Sequence, residues 1–222
     1  MEIQAVLFDM DGVLIDSESI ILEAALEGLK QFGVYAKPED FIPYIGGGET
    51  RYLGGPAKKY GVPYDPQMKP VVYEIYGKII RNHPELVYDG VLDVVKEIMK
   101  KYKASVCSAA DYPKVCHNLY TIGVGPEFFT ALVTGSDVSQ QKPHPDIFLK
   151  GAELCKADPR FCVAIDDAIN GVKAANAAGC VSVGVTTSFT RDELKEADAM
   201  YVIDDIKEFP ALLDRIEKEQ NR

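Results

Sequence analysis

The sequence predicts an α/β fold with a parallel sheet, and three observations support this prediction. Short apolar runs recur along the chain, and such runs are typical of strands that are buried on both faces. Helical patterns separate these runs, and strands that alternate with helices form a parallel sheet covered on both sides. The stretch from residue 17 to about residue 86 breaks the alternation, because it shows helical spacing and no convincing strand. We therefore expect a small helical insertion after the first strand.

Six apolar runs are predicted to be strands, and helices are predicted around them. The predicted strands are 5–8, 104–107, 131–133, 162–165, 181–185 and 200–203. One helical pattern covers 91–99, and another ends at Gly179, a residue type common just after a helix. In the insertion, apolar residues repeat at helical spacing from Ile20 to Phe32, with Asp16 or Ser17 as the expected N-cap.

Composition and charge disfavour several classes of protein. Acidic residues outnumber basic ones, 34 to 24, which argues against broad nucleic-acid binding, because such binding requires a basic face. No apolar stretch approaches the ~20 residues of a membrane span. A strand is predicted so close to the first residue that we expect no signal peptide. The five cysteines form no CxxC pair, and we interpret them as buried free thiols of a reducing, cytoplasmic compartment.

An aspartate pair follows the first predicted strand. Asp9 and Asp11 are two residues apart, and alternate side chains of an extended segment share a face. One carboxylate can attack phosphorus and form an aspartyl-phosphate. The second can protonate the leaving oxygen and then deprotonate the attacking water. This pair alone is a weak signal, because a solvated strand end has the same pattern.

Other polar residues follow later strands or lie in a stiffened loop. Asp166 and Asp167 come at the end of a predicted strand, and such hard oxygen ligands suit Mg²⁺ near a phosphate. Lys142 is followed by Pro143 and Pro145, which stiffen its loop, and it can neutralise a transferring phosphoryl group. Ser108 and the adjacent Ala109 can bind phosphate oxygens through the hydroxyl and nearby backbone amides. Ligands of parallel sheets bind at the carboxyl ends of strands, so we expect one pocket to collect Asp9, Ser108 and Asp166, which all come at strand ends.

All of these elements occur in one chain and in order, and with them the chain resembles the haloacid dehalogenase-like superfamily, in the branch of β-phosphoglucomutase and small sugar phosphatases. The first family motif matches DMDGVLIDS at 9–17, and the second matches Ser108. The third matches Lys142 in KPHPDIF, and the fourth matches IDDAINGVKAANAAG at 165–179. The resemblance implies a Rossmann-like core of residues 1–16 and 87–222, with an inserted helical cap domain, residues 17–86, that closes over the active site.

The resemblance also implies a role for each motif residue. Asp9 would be the nucleophile, and Asp11 would be the general acid and base. Mg²⁺ would be held by the Asp9 carboxylate, the Asp11 backbone carbonyl and Asp167, with Asp166 as a direct or water-mediated ligand. The residues expected to hold the transferring phosphate are Ser108, Ala109 and Lys142.

Two departures from the mutases of this branch favour a phosphatase. Family mutases carry a Ser-Lys-Asn run that grips a second phosphate, whereas this chain places Asp111 there, which would repel it. The mutase cap supplies an arginine three residues after a glycine, and counting from Gly46 gives Glu49 in this chain. We therefore expect a monophosphorylated substrate whose hydroxyls donate hydrogen bonds to Glu49.

The predicted function is that of a magnesium-dependent phosphatase that hydrolyses a small sugar or polyol phosphate through an aspartyl-phosphate. Its expected partner is a small phosphorylated metabolite, and its expected state is a monomer. A mutase of the β-phosphoglucomutase type stays open as an alternative, as does a binding module that keeps the fold without turnover. A true haloacid dehalogenase is disfavoured, because those enzymes use the first aspartate on carbon and need neither an acid at Asp11 nor Mg²⁺.

Overall fold

The sheet at the centre of the protein is parallel throughout the described part of the chain. The computed structural model describes residues 2–44 and 48–220. Six strands pair side by side in the order β3-β2-β1-β4-β5-β6, and every pairing is parallel. The strands are β1 (Ala5–Phe8), β2 (Lys103–Cys107), β3 (Ala131–Val133), β4 (Cys162–Asp166), β5 (Val181–Val185) and β6 (Tyr201–Ile203). The predicted α/β class is confirmed, and the six predicted strands form with bounds that differ by at most one residue at either end.

Helices cover both faces of this sheet and fill the insertion. The helices of the described residues are α1 (Glu18–Lys30), α2 (Glu49–Lys59), α3 (Met68–Ile80), α4 (Val91–Met99), α5 (Tyr112–Ile122), α6 (Asp146–Leu154), α7 (Ile169–Ala178), α8 (Arg191–Glu196) and α9 (Phe209–Gln220). Helix α4 has the predicted bounds, and α7 ends as predicted at Gly179, which has a left-handed φ of 80°. Across residues 2–44 and 48–220, no helix combines the length and the apolarity needed to cross a membrane.

Strand β1 lies in the middle of the sheet and is buried on both faces. Val6 and Phe8 join the hydrophobic cluster of one face, whereas Ala5 and Leu7 join that of the other. This alternation follows from the two-residue period of a strand. Both neighbours of β1 are strands and both of its faces are covered, and its carboxyl end leads to a cavity. The residue that follows that end is Asp9.

The insertion between β1 and β2 is helical, as expected, and its two connections to the sheet run side by side. Helices α1 and α3 pack closely: a Cβ added at Gly28 would lie 2.7 Å from a methyl carbon of Val72. The amide of Asp16 donates to the carbonyl of Leu86 at 2.8 Å. A short antiparallel bridge joins the same two segments next to that bond. The chain therefore leaves the sheet and returns to it at one place.

The predicted N-cap of α1 is confirmed in position, whereas the side chain of Ser17 has another partner than the helix. Ser17 occupies the N-cap position of α1, but its side chain makes no capping hydrogen bond there. Its hydroxyl donates to the carboxylate of Asp11 instead. The backbone geometry at Ser17 also differs from the extended conformation typical of an N-cap, with φ −107° and ψ 4°. Ser17 thus belongs to the surroundings of the aspartate pair.

Candidate active site

The carboxyl ends of β1, β2 and β4 border a cavity of about 610 Å³. Residues from the insertion, among them Tyr44 and Tyr52, line its other side. All eight residues singled out from the sequence line this one cavity: Asp9, Asp11, Glu49, Ser108, Ala109, Lys142, Asp166 and Asp167. The structure therefore brings the whole predicted set together, while the role of each residue stays a prediction.

Lys142 links the first aspartate to the second acidic pair. Its ammonium donates to Asp9 Oδ1 and, at 2.8 Å, to Asp166 Oδ2. The same nitrogen lies 5.1 Å from the centre of the Phe148 ring, a distance at which a cation is attracted to an aromatic face. Burial opposes the charged form, but the carboxylates of Asp166 and Asp9 raise the pKa of Lys142 above its ordinary value. Lys142 is therefore a fixed cation at the first aspartate.

Three carboxylates converge beside that lysine. Asp9, Asp166 and Asp167 are all buried, and each offers an oxygen within 4.8 Å of the other two. Burial, followed by repulsion from Asp166, raises the pKa of Asp167 to about 7. Burial also raises the pKa of Asp9 well above its ordinary value, against the attraction of Lys142. One lysine thus leaves the cluster with excess negative charge, and hard oxygen ligands with excess charge fit a divalent cation such as Mg²⁺.

Two glycines allow the chain to approach these carboxylates closely. A Cβ added at Gly12 would lie 2.0 Å from Asp167 Oδ2, and the φ of Gly12 is +82°, which side chains rarely adopt. A Cβ added at Gly171 would lie 1.8 Å from Asp166 Cγ. The glycines of the DMDGV and DDAING segments therefore give the acidic cluster its room.

The second aspartate has a separate set of partners. Asp11 Oδ2 accepts a hydrogen bond from the ammonium of Lys114 at 2.7 Å. Asp11 Oδ1 accepts from the hydroxyl of Ser17 and, at 3.4 Å, from the side-chain amide of Asn118. Although burial opposes the charged form, the carboxylate of Asp11 raises the pKa of Lys114 above its ordinary value. Both oxygens of Asp11 are thus held by donors from two parts of the chain.

Sequence reasoning missed Lys114, Asn118 and Ser17 as site residues. Lys114 and Asn118 lie four residues apart in α5, a spacing that places them on one helix face. Both are buried. The available signal was a lysine and an asparagine at this spacing, shortly after a strand-ending serine. That signal is weak, because a lysine near the start of a helix usually faces solvent.

The segment after β2 offers groups for a phosphate. The amide of Ser108 donates to the carbonyl of Val133 at 2.9 Å, which fixes the serine at the strand end. Ser108 Oγ accepts from the amide of Ala110 at 3.2 Å, so its own proton stays available to a ligand. Among residues 2–44 and 48–220, the amide of Ala109 has no hydrogen-bond acceptor. Both groups border the cavity.

Glu49 is the first residue of α2 and lines the cavity from the insertion. Burial raises the pKa of its carboxyl group above the ordinary value, with Lys114 acting in the opposite direction. The expectation for Glu49 is counted from Gly46. Gly46 and Gly47 both lie outside the described residues. Glu49 therefore has a suitable place for a substrate hydroxyl, and that role stays a prediction.

The sequence predicts that the carboxylate of Asp111 repels a second phosphate, but this carboxylate is occupied by other partners. Its carboxylate accepts hydrogen bonds from Lys69 at 2.7 Å, Tyr73 at 2.9 Å and Ser136 at 2.8 Å. Burial opposes the charged form, yet these bonds hold the pKa of Asp111 below its ordinary value. Asp111 is not among the residues that line the cavity in the described part of the chain. Its charge is compensated between α3 and the core, so repulsion by Asp111 is no argument against a second phosphate.

Comparisons with known proteins agree on one family. The model of the haloacid dehalogenase-like hydrolase family matches residues 3–179. The chain is 38% identical over 209 residues to SUPPRESSOR OF QUENCHING 1, a chloroplastic protein of Arabidopsis thaliana. This match covers 92% of the chain but 20% of the Arabidopsis protein, so the chain spans about a fifth of that relative.

A second relative and a solved structure match along their whole length. The chain is 29% identical over 221 residues to the pyrophosphatase PpaX of Bacillus mycoides, which covers 97% of this chain and 99% of the relative. The crystal structure of β-phosphoglucomutase from Clostridium difficile superposes with a TM-score of 0.78. It covers 99% of this chain and 100% of the mutase at 22% identity, so this likeness concerns the fold.

Proposed function

This chain belongs to the haloacid dehalogenase-like hydrolase family and is an enzyme of its phosphatase class, and we propose that it is a magnesium-dependent phosphatase that hydrolyses a small sugar or polyol phosphate. One observation carries the proposal. A buried carboxylate, Asp9, stands at the cavity with a fixed ammonium, Lys142, on one oxygen and two further carboxylates beside it. This arrangement provides a nucleophile, a cation for phosphoryl oxygens and a metal site at one point.

The first chemical step uses both residues of the aspartate pair. A carboxylate oxygen of Asp9 attacks phosphorus, and the bond between phosphorus and the ester oxygen breaks with its electron pair on that oxygen. The carboxyl group of Asp11 gives its proton to the ester oxygen, which leaves as an alcohol. Lys142 and the groups at Ser108 and Ala109 hold the phosphoryl oxygens. The product of this step is a phosphate ester of Asp9.

The second step reverses the role of Asp11. Its carboxylate removes a proton from a water molecule, whose oxygen attacks phosphorus while the bond to Asp9 breaks. Inorganic phosphate leaves, and Asp9 is free again. Over both steps one water molecule is consumed, and one alcohol and one phosphate are formed. Asp11 has regained its proton, so both aspartates are ready for the next turnover.

The acidic cluster is the place that we assign to Mg²⁺. The carboxylates of Asp9 and Asp167 and the backbone carbonyl of Asp11 would hold the ion, with Asp166 bound directly or through water. Mg²⁺ supplies positive charge that offsets the carboxylates and the phosphoryl oxygens of the substrate. The raised pKa values of Asp9 and Asp167 support this assignment, because they reflect negative charge that the described side chains leave uncompensated.

We assign residues 17–86 to a cap domain over residues 1–16 and 87–222, and we place substrate selection there. Glu49 and Tyr52 line the cavity from α2, opposite the strand ends. A carboxylate at this place accepts hydrogen bonds from substrate hydroxyls, which supports a sugar or polyol as the leaving group. The five cysteines are free thiols, which supports a reducing, cytoplasmic compartment.

A panel of phosphate monoesters tests the proposal. The purified protein is incubated with sugar phosphates, polyol phosphates and p-nitrophenyl phosphate, each with Mg²⁺ and with EDTA. We expect release of inorganic phosphate from at least one sugar or polyol ester with Mg²⁺ and none with EDTA. Absence of phosphate release from every ester under both conditions would contradict the proposed phosphatase activity. Equal release with Mg²⁺ and with EDTA would contradict the proposed dependence on Mg²⁺.

The same panel separates the phosphatase from the mutase. A mutase returns the phosphoryl group to the sugar, so it converts β-glucose 1-phosphate into glucose 6-phosphate without net phosphate release. The fold likeness to β-phosphoglucomutase and the compensated charge of Asp111 keep this alternative in the experiment. Isomer formed without free phosphate would replace the phosphatase by a mutase at the same site.

A further inference from the structure

Lys114 is a buried cation for which the four sequence motifs provide no role. It lies in the first turns of α5 and is 5% exposed. Its ammonium borders the cavity and makes one hydrogen bond among the described residues, to Asp11 Oδ2. Burying an ammonium costs free energy that a surface lysine would avoid. A lysine held in this position beside Asp11 therefore calls for a function.

The surroundings of Lys114 concentrate its effect on one carboxylate. Glu18 and Glu49 also line the cavity; burial raises the pKa of both carboxyl groups, and the charge of Lys114 opposes that rise. Asp11 forms the one ion pair of this ammonium within the described ranges, and the nitrogen also lies 6.0 Å from the centre of the Tyr76 ring. On the other oxygen of Asp11, Ser17 and Asn118 complete the contacts. The carboxyl group of Asp11 is thus fixed in position and in rotation.

We propose that Lys114 is a positioning residue for the reaction, and that it holds the Asp11 carboxyl group where that group exchanges its proton with the leaving oxygen. The proposal rests on the proposed phosphatase function. Proton transfer requires the two oxygens to be within hydrogen-bond reach, and a small misplacement of a catalytic group lowers the rate strongly. Lys114 reaches Asp11 from α5, the helix that follows β2, so the contact joins two segments that are 103 residues apart in the chain.

This role predicts that loss of Lys114 lowers kcat/KM most for esters whose leaving oxygen must be protonated. An alkyl phosphate loses a strongly basic alkoxide, which must be protonated as it leaves. p-Nitrophenyl phosphate loses a phenolate that is stable without a proton. The ratio kcat/KM covers the reaction up to departure of the leaving group, and it excludes the later hydrolysis of the Asp9 ester. A positioning role should therefore lower kcat/KM for the alkyl ester and leave the aryl ester little changed.

The test compares Lys114→Met with the wild type on two esters in the presence of Mg²⁺. The esters are the sugar or polyol phosphate that the wild type hydrolyses best and p-nitrophenyl phosphate. We expect kcat/KM for the alkyl ester to fall ~10-fold or more relative to the aryl ester, since general acid–base catalysis supplies 10²–10⁴-fold and part of it is lost. Lys114→Arg, which keeps the cation, should recover part of the difference.

Lys103→Met is the matched control. Lys103 also has a hydrogen-bonded ammonium, 2.8 Å from the carbonyl of Cys155, but it lies at the opposite end of β2 from the cavity. We expect this variant to leave the ratio between the two esters unchanged. Retained activity of Lys114→Met on the aryl ester shows that the variant is folded. If that variant does not fold, Lys114→Gln takes its place in the same comparison.

The outcomes separate this inference from the proposed function. An equal fall for both esters, or a change confined to KM for both, would overturn the positioning role, because a general structural defect or loss of phosphate binding predicts that result. An unchanged ratio in an active Lys114→Met enzyme would overturn it as well. A wild type that hydrolyses no ester would overturn the proposed function, and the role of Lys114 with it.

Discussion

Two buried lysines divide the aspartate pair between them, and their surroundings differ. Lys142 lies in a loop and donates to both Asp9 and Asp166, so its charge is shared by the proposed nucleophile and the proposed metal site. Lys114 lies in a helix and serves Asp11 alone among the described carboxylates. The two aspartates are two residues apart in the chain, yet their charges are compensated separately. The comparison suggests that attack on phosphorus and proton transfer can be disturbed one at a time.

Asp9→Asn should have the largest effect of these substitutions. It acts on the Lys142 side of the site, which is Lys142 with Asp9 and Asp166, as distinct from the Lys114 side, which is Lys114 with Asp11. The amide cannot attack phosphorus, so phosphate release should fall by ~10⁴-fold or more. The fold should persist. Because burial and neighbouring carboxylates raise the pKa of Asp9, its charged form is unfavourable in the folded protein, and a neutral asparagine removes that cost. Thermal unfolding in EDTA should therefore give a Tm at or above that of the wild type. Retained turnover would remove Asp9 from the mechanism.

Lys142→Met should reduce catalysis without weakening the metal site. Loss of a fixed donor to the transferring group should lower kcat by ~10²–10³-fold, for alkyl and aryl esters alike. The acidic cluster would lose its only directly bonded ammonium in the described ranges, so Mg²⁺ should bind as tightly as in the wild type or more tightly. Calorimetric titration with Mg²⁺ measures this. A strong loss of Mg²⁺ affinity would show that Lys142 organises the site instead of sharing its charge.

Gly12→Ala should disturb the acidic cluster at the residue that directly follows the aspartate pair. The substitution imposes a strained backbone, at a cost of ~1–2 kcal/mol, and its methyl group would displace the carboxylate of Asp167. We expect a higher Mg²⁺ concentration for half-maximal activity. Gly33→Ala is the matched control, because Gly33 has a similar φ of +75° with nothing within 4 Å of the added Cβ. Equal Mg²⁺ dependence in both variants would reduce the effect at Gly12 to backbone strain.

Asp111→Asn should give the smallest of these effects. It weakens the contacts of Asp111 with Lys69 and Tyr73, and a partly buried ion pair of this kind contributes about 1 kcal/mol to the free energy of unfolding. Denaturant titration measures the loss. Asp89→Asn is the control, because Asp89 pairs with Lys207 at 2.8 Å while its side chain is 92% exposed. A larger loss at Asp89 than at Asp111 would contradict the contribution assigned to this contact.

The sheet and the Lys142 side could be predicted because their signals are local. Buried parallel strands leave short apolar runs, and each run ends at the residue that enters the site, as β1 ends at Asp9. Lys142 is marked by the two prolines that follow it, Pro143 and Pro145. The predicted residues that come at strand ends, Asp9, Ser108 and Asp166, line one cavity because parallel strands end at the same edge of a sheet.

The Lys114 side could not be predicted because its signals depend on tertiary contacts. Lys114 is 103 residues from Asp11 in sequence, and nothing in the pattern of α5 distinguishes it from a solvated lysine. Ser17 is at an N-cap position, and only the fold shows that its hydroxyl turns to Asp11. The partners of Asp111, Lys69 and Tyr73, are 42 and 38 residues away, so its compensated charge was also hidden.

The paired connections at the base of the insertion have a consequence for how such a chain can be rebuilt. The amide of Asp16 and the carbonyl of Leu86 lie 2.8 Å apart. If the residues between them were replaced by another segment, its two points of attachment would therefore already be adjacent. Helices of another length or sequence can be grafted between these two points without changing the strand order of the sheet. The proposed place of substrate selection predicts that a segment transplanted from a relative with another substrate exchanges selectivity, while the proposed catalytic residues of the strand ends stay in place. The two adjacent connections therefore make this protein a suitable acceptor for such grafts.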